Sequence, residues 1–155
     1  MTAVYRLVKA SRADDAFSGE GARLYGGRWN PPGFPVVYAS QSRSLAVLET
    51  FVHLALEAHD MRFLIYEITL PKGTRSREYS GPAHLWRHRR PGAESQEAGR
   101  AWLAEGATLA FVVPSVIVPQ EVNYLLSVHH PQFARLRIAK AQPFSFDERL
   151  WKVRA

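Results

Sequence analysis

Glu49 is the residue from which chemistry is most directly read. Leu45, Leu48, Val52 and Leu56 recur at three- and four-residue intervals, the spacing of one helix face turned toward a core. Glu49 lies four residues after Leu45 and three before Val52, on or beside that face. A carboxylate turned inward costs several kcal/mol unless it is paired or hydrogen-bonded, so the position calls for a partner or a task. The structural alternative is a helix-edge glutamate paired with Arg43 or Arg28. A second candidate is the stretch 18–33, where five glycines and two prolines are interleaved with Arg23, Tyr25, Arg28, Trp29 and Asn30. Large polar and aromatic groups set among glycines are typical of a functional loop on a rigid scaffold. The plainer reading is a surface loop with Trp29 tucked into the core. Ser115 follows Pro114 at a strand break, where its hydroxyl can face a site or serve the turn. The run Trp86-Arg87-His88-Arg89-Arg90 suits a phosphate or an acidic partner, although a solvated charge run is the commoner explanation.

These groups need elements to hold them. Residues 4–8 alternate well enough for an edge strand, and 36–40 form a short buried strand. Ser40, Gln41 and Ser42 then cap a helix expected to run to about His59. Residues 62–70 alternate as a half-buried strand ended by Pro71-Lys72-Gly73. The segment 76–92 reads as a polar, basic loop, followed by a helix over 93–105. Residues 109–113 and 116–118 are strand-like, as are 121–126, 133–138 and 144–150. There is no internal repeat or linker, so the expected fold is a single α+β domain over residues 1–155, with mixed or antiparallel sheets and a few helices.

Composition narrows the function classes. A chain of 155 residues with 46% apolar content can bury a contiguous core. No run approaches the roughly 18 apolar residues of a membrane span, and the N-terminal residues lack a secretory pattern, so a soluble cytoplasmic protein is expected. The absence of cysteine removes disulfides, thiolate nucleophiles and Cys-based zinc sites. The six histidines form no persuasive metal set, and no metal is expected. Twenty Lys and Arg against fourteen Asp and Glu give a formal charge of +6, which favours nucleic acid, a phosphate-bearing metabolite or an acidic protein.

Three separated blocks resemble the RES-domain family: Ala22-Arg23-Leu24-Tyr25-Gly26-Gly27-Arg28-Trp29-Asn30; Val37-Tyr38-Ala39-Ser40 with Ser44-Leu45-Ala46-Val47-Leu48-Glu49; and Val113-Pro114-Ser115, continuing to Asn123-Tyr124-Leu125-Leu126 and His130-Pro131. The family is named for an arginine, a glutamate and a serine, matched here by Arg28 or Arg23, Glu49 and Ser115. The resemblance implies a fold similar to ADP-ribosyltransferases and the role of toxin in a toxin-antitoxin pair. It further implies an NAD-consuming activity and neutralisation by a cognate Xre-like antitoxin.

The residues suit that task. Guanidinium groups of Arg23 and Arg28 match diphosphate oxygens. Tyr25, Trp29 and Tyr38 offer faces for nicotinamide or adenine. Cleaving the nicotinamide-ribose bond develops positive charge on the ribose, which a carboxylate such as Glu49 stabilises. Ser115 is expected to bind the nicotinamide amide or ribose, with Asn123 in the same pocket. NAD is then a substrate and no permanently bound cofactor is expected. The acceptor is left open among water, inorganic phosphate and a protein side chain, the last making the chain a protein ADP-ribosyltransferase. The rival from another class is a basic RNA-binding protein without NAD chemistry, supported by the charge and by residues 86–90; specific nucleic-acid binding by the protein alone is not expected.

Overall fold

The computed structural model describes residues 1–152; the last three residues lie outside the described part. Strands β1 (Ala3–Lys9), β2 (Val36–Ser40), β3 (Phe63–Thr69), β4 (Ser76–Glu78), β5 (Ala110–Pro114), β6 (Val122–Ser127), β7 (Arg137–Ile138) and β8 (Gln142–Phe144) form one sheet. Helices α1 (Glu20–Tyr25), α2 (Arg43–Phe51) and α3 (Ala93–Glu105) accompany it, with short 3-10 turns between elements. The sheet order is β4-β5-β6-β2-β1-β3-β7, with β8 also pairing β3. Only the β4–β5 pair is parallel, so the fold is α+β with a mixed sheet.

Strand β1 is interior, not the edge its alternation suggested, because it lies between β2 and β3 and pairs along its whole length with β3, from Ala3↔Thr69 to Lys9↔Phe63. Its other neighbour is held differently. β1 and β2 share one register pair, Tyr5↔Ser40, and the buried Arg6 guanidinium takes the Tyr38 carbonyl at 2.8 Å and the Ala16 carbonyl at 2.8 Å. Burial draws the Arg6 pKa down to about 10, against the opposing pull of the Asp15 carboxylate.

Side-chain alternation sorts the sheet into two apolar faces. Val4, Val37, Ala39, Ile68, Ala110 and Leu126 build one core cluster. On the opposite face, Val36, Phe111, Val113 and Leu125 pack with Trp29, Trp86 and Trp102. Leu7, Phe63 and Ile65 form a separate cluster with Phe146, to which α2 adds Val47 and Phe51. α2 starts where capping chemistry placed it: Ser42 Oγ accepts from the Leu45 amide at 3.1 Å.

Several expectations are corrected. α2 ends at Phe51 rather than near His59, and a 3-10 turn over Leu56–Asp60 follows. Of the proposed apolar face only Leu45 is buried; Leu48, Val52 and Leu56 are exposed. The helix packs through the adjacent stripe of Ala46, Val47 and Phe51, and its early end takes Val52 and Leu56 off the helical wheel. Within 18–33 the chain forms α1, introduced by Gly19 at φ 73° and closed by Gly26 at φ 71°. Residues 116–118 are not a strand, because the amides of Ile117 and Val118 turn back to Ser115 Oγ. The C-terminal strands shrink to β7 and β8, flanked by 3-10 turns over Pro131–Arg135 and Glu148–Trp151. The parallel strand β4 lies in a segment whose polarity reads as loop.

α3 matches its sequence pattern and carries the tightest backbone contact of the fold. An added Cβ at Gly99 would lie 1.5 Å from the Trp29 carbonyl oxygen, whereas one at Gly21 would meet nothing within 4 Å. Gly99→Ala is therefore expected to destabilise the protein by about 3 kcal/mol or to prevent folding, by forcing α3 off the Trp29 segment. Gly21→Ala, in α1, should stay within about 1 kcal/mol of the parent. Urea unfolding checks the pair; equal midpoints for Gly99→Ala and the parent would contradict the contact.

Candidate active site

α2, the end of β5 and the start of β6 converge on Glu49. Its Oε1 accepts from Ser115 Oγ at 2.7 Å and from Asn123 Nδ2 at 2.7 Å. Ser115 is fully buried and its hydroxyl oxygen also accepts from the amides of Ile117 and Val118, at 3.1 and 3.0 Å. Those two amides leave the hydroxyl proton for the carboxylate. Asn123 is oriented in turn by Ser40, whose Oγ donates to Asn123 Oδ1 at 2.6 Å. The pairing of β2 and β6 sets Ser40 opposite Asn123. Oε1 is thus committed to the protein, and Oε2 has no protein hydrogen bond among the described residues. Glu49 is half-buried, and Oε2 is the oxygen that the described residues leave unengaged.

Arg28 supplies the positive side of the site. Its Nη1 donates to the carbonyls of Trp86 and His88 at 3.0 and 2.6 Å, and Nη2 to that of Arg89 at 3.2 Å. Burial lowers the Arg28 pKa while the nearby Glu49 carboxylate raises it, so the two charges act on each other without a direct ion pair. The Arg28 segment is fastened from three sides. Ser95 Oγ donates to the Arg28 carbonyl at 2.6 Å, Gln96 Nε2 donates to the Gly27 carbonyl at 3.0 Å, and the Tyr38 hydroxyl accepts from the Trp29 amide at 3.2 Å. The Tyr38 hydroxyl also donates to Asn30 Oδ1 at 2.6 Å, and the fully buried Asn30 amide reaches three further carbonyls, those of Ala22, Pro31 and Phe34. Gly27 is required at this corner, because a Cβ there would come within 2.7 Å of the Tyr38 hydroxyl.

The structure thus brings Glu49, Ser115 and Asn123 into contact, with Arg28 and Tyr38 beside them. Other sequence candidates are placed elsewhere. Arg23 is exposed on α1 and forms a salt bridge with Glu20, which raises its pKa. Tyr25 is exposed. Trp29 is 2% exposed, its ring packed among Tyr79, Trp86 and Phe111, so it is a core residue and not a stacking platform for a ligand. Ser115 orients Glu49, since its oxygen is saturated by the three contacts above; the expectation that it binds a substrate amide or ribose does not fit this geometry. Arg43 does not pair with Glu49 either: it binds Glu67 at 2.7 Å and lies over the Tyr5 ring. Ser40 was not singled out for the site by sequence, and its only signal is its position at the end of a buried strand. Asn30 carried a signal, a polar residue amid glycines, but its task is to fasten the loop.

A RES domain profile matches residues 3–147. The chain belongs to the RES-domain family. Among curated members, the Prs ADP-ribosylating toxin of Sphingobium sp. (strain YBL2) is 36% identical, covering 96% of each chain. Toxin Res of Photorhabdus laumondii is 33% identical, covering 97% of this chain and 98% of the relative. The NAD(+) phosphorylase MbcT of Mycobacterium tuberculosis is 52% identical over 46 residues, 29% of this chain and 24% of the relative. A chain in the crystal structure of the M. tuberculosis MbcT-MbcA toxin-antitoxin complex has the same fold, with a TM-score of 0.76 and 21% identity, covering 97% of this chain and 86% of that one. This RES domain has no helix, among the described residues, that is long and apolar enough to cross a membrane.

Burial pushes the Tyr38 phenol well above its ordinary pKa of 10.0, so in the folded protein it stays protonated where the unfolded chain would ionise. The stability it contributes is complete below about pH 10 and is lost as the pH rises toward the folded value. Tyr38→Phe should lower stability at pH 8 by about 1–2 kcal/mol and flatten the fall seen in the parent between pH 9.5 and 11. Denaturant melts of both proteins across that range check the difference; parallel curves would contradict it.

Proposed function

We propose that this RES protein is the toxin of a bacterial toxin-antitoxin pair, acting in the cytoplasm by cleaving the nicotinamide-ribose bond of NAD. The observation that carries the reading is the half-committed carboxylate: Glu49 Oε1 is held by Ser115 and Asn123, while Oε2 remains for a ligand beside the Arg28 charge. In this reaction the C1′–N bond breaks and its electron pair leaves with nicotinamide, so positive charge develops on the ribose. A fixed carboxylate stabilises that charge without having to reorganise at the moment of reaction. Nicotinamide departs as a neutral base, so the step needs no strong acid. Arg28 contributes positive charge toward the diphosphate while its carbonyl contacts hold the loop in shape.

The acceptor oxygen then bonds to C1′. Water gives ADP-ribose and a proton, and inorganic phosphate gives ADP-ribose 1″-phosphate. The local match to proteins named NAD(+) phosphorylase supports the phosphate route. A protein side chain as acceptor is the second reading, and the full-length match to a protein named Prs ADP-ribosylating toxin favours it. A cognate antitoxin partner of the Xre-like kind is part of the proposal, supported by the shared fold with a chain of a toxin-antitoxin complex. An acidic element entering beside Arg28 would block the site.

The test is incubation of the purified protein with NAD, with and without inorganic phosphate, followed by mass spectrometry of the products. Wild type should release nicotinamide, with the partner product naming the acceptor, and Glu49→Gln should be slower by about 10²–10³-fold while remaining folded. Intact NAD in every wild-type reaction would contradict NAD degradation and move protein modification to the front.

A further inference from the structure

The segment following Trp86 remains outside the mechanism, yet it is one of the most deliberately shaped parts of the surface. The Arg28 guanidinium collects the carbonyls of Trp86, His88 and Arg89, and Trp86 itself is buried in the aromatic cluster. With its carbonyls drawn inward and Trp86 as anchor, this turn presents Arg87, His88, Arg89 and Arg90 to solvent; all four are exposed. Elsewhere Arg12, Arg23, Arg43, Arg77, Arg100 and Arg149 each form an ion pair within the chain, whereas among the described residues the exposed Arg62, Arg75, Arg135 and Arg137 form none and, unlike the arginines of 87–90, do not fall three within four positions. Among the described residues Arg87, Arg89 and Arg90 make no ion pair and no side-chain hydrogen bond, and neither does Glu94, the nearest carboxylate in sequence. Three like charges thus fall within four residues on a backbone tied down by Arg28, a concentration of charge that a bound polyanion would relieve.

We propose that residues 87–90 form a docking surface for a carboxylate-rich segment of a partner protein. Planar guanidinium groups bind carboxylates bidentately, and the fixed backbone means that little order has to be acquired on binding. Single-stranded nucleic acid is the less suitable occupant. Its binding relies on exposed aromatic faces among the basic groups, and the only aromatic in the run besides His88, Trp86, is withdrawn into the core. Because the Arg28 guanidinium itself holds this backbone, a segment docked on residues 87–90 would lie beside Arg28 of the candidate site.

The test uses fluorescence anisotropy of a labelled octaglutamate peptide and of an octauridylate, each titrated with the full chain at low and at physiological salt. Arg87→Gln/Arg89→Gln/Arg90→Gln is compared with Arg62→Gln/Arg135→Gln/Arg137→Gln, which removes the same charge from exposed, unpaired arginines elsewhere. Thermal melts confirm that both variants fold. The expected result is octaglutamate binding that falls about tenfold or more in the first variant and less than threefold in the second. Equal losses in the two variants would show a net-charge effect and overturn the proposal, as would absence of peptide binding to wild type. Preferential binding of octauridylate, lost in the first variant, would replace the protein partner with RNA. A raised KM for NAD in the first variant would instead place these arginines in the nucleotide site. Because the anisotropy arms are read without turnover, they stand independently of whether NAD is the substrate; only the KM comparison rests on that reading.

Discussion

The site depends on two hydrogen bonds to a single oxygen. Ser115 and Asn123 both donate to Glu49 Oε1, and each is fixed in turn: Ser115 by two backbone amides, Asn123 by Ser40. The four residues come from α2, the turn after β5, β2 and β6, so the carboxylate cannot be oriented until the centre of the sheet is paired. A carboxylate half out of water is tolerable because charge-assisted hydrogen bonds offset its lost hydration. Two hydrogen bonds fix Oε1, and among the described residues the protein engages Oε2 with none, which is the feature the proposed function uses.

The opposite charge is positioned by a different device. Arg28 lies in an irregular segment, which is clamped by Ser95 and Gln96 of α3, by Tyr38 of β2, and by the carbonyls of Trp86, His88 and Arg89. Gly27 and Gly99 permit these close approaches, where any side chain would collide with the Tyr38 hydroxyl or the Trp29 carbonyl. The guanidinium therefore does two tasks, shaping the backbone of one loop and placing charge near Glu49.

The elements were legible where residue periodicity and burial agree, as in strands β2 and β3 and helix α3. Glu49 was conspicuous as a glutamate beside an apolar stripe, but of that stripe only Leu45 is buried; the half-buried carboxylate is held by Ser115 and Asn123, which the stripe does not show. The rest was hidden for identifiable reasons. The apolar stripe of α2 suggested a longer helix, since exposed Leu48, Val52 and Leu56 have the same spacing as buried residues would. Trp29 looked like a ligand platform because composition cannot show which way a ring faces. Ser115 was visible as a hydroxyl at a strand break, but its saturation by three partners depends on a turn after β5 that reads in sequence as a strand. Ser40 and Arg6 act through pairings between β2 and its neighbours, contacts between distant residues that no local pattern encodes.

On the proposed reading, Asn123 serves NAD cleavage only by holding Glu49 Oε1 in place. A double-mutant cycle on the rate of nicotinamide release from NAD tests it most directly, using Glu49→Gln, Asn123→Ala and the double variant at saturating NAD. If Asn123 acts by holding Oε1, its loss slows the parent but adds almost nothing once Glu49 is glutamine. Full multiplication of the two losses would contradict the account and give Asn123 a contact with the substrate of its own.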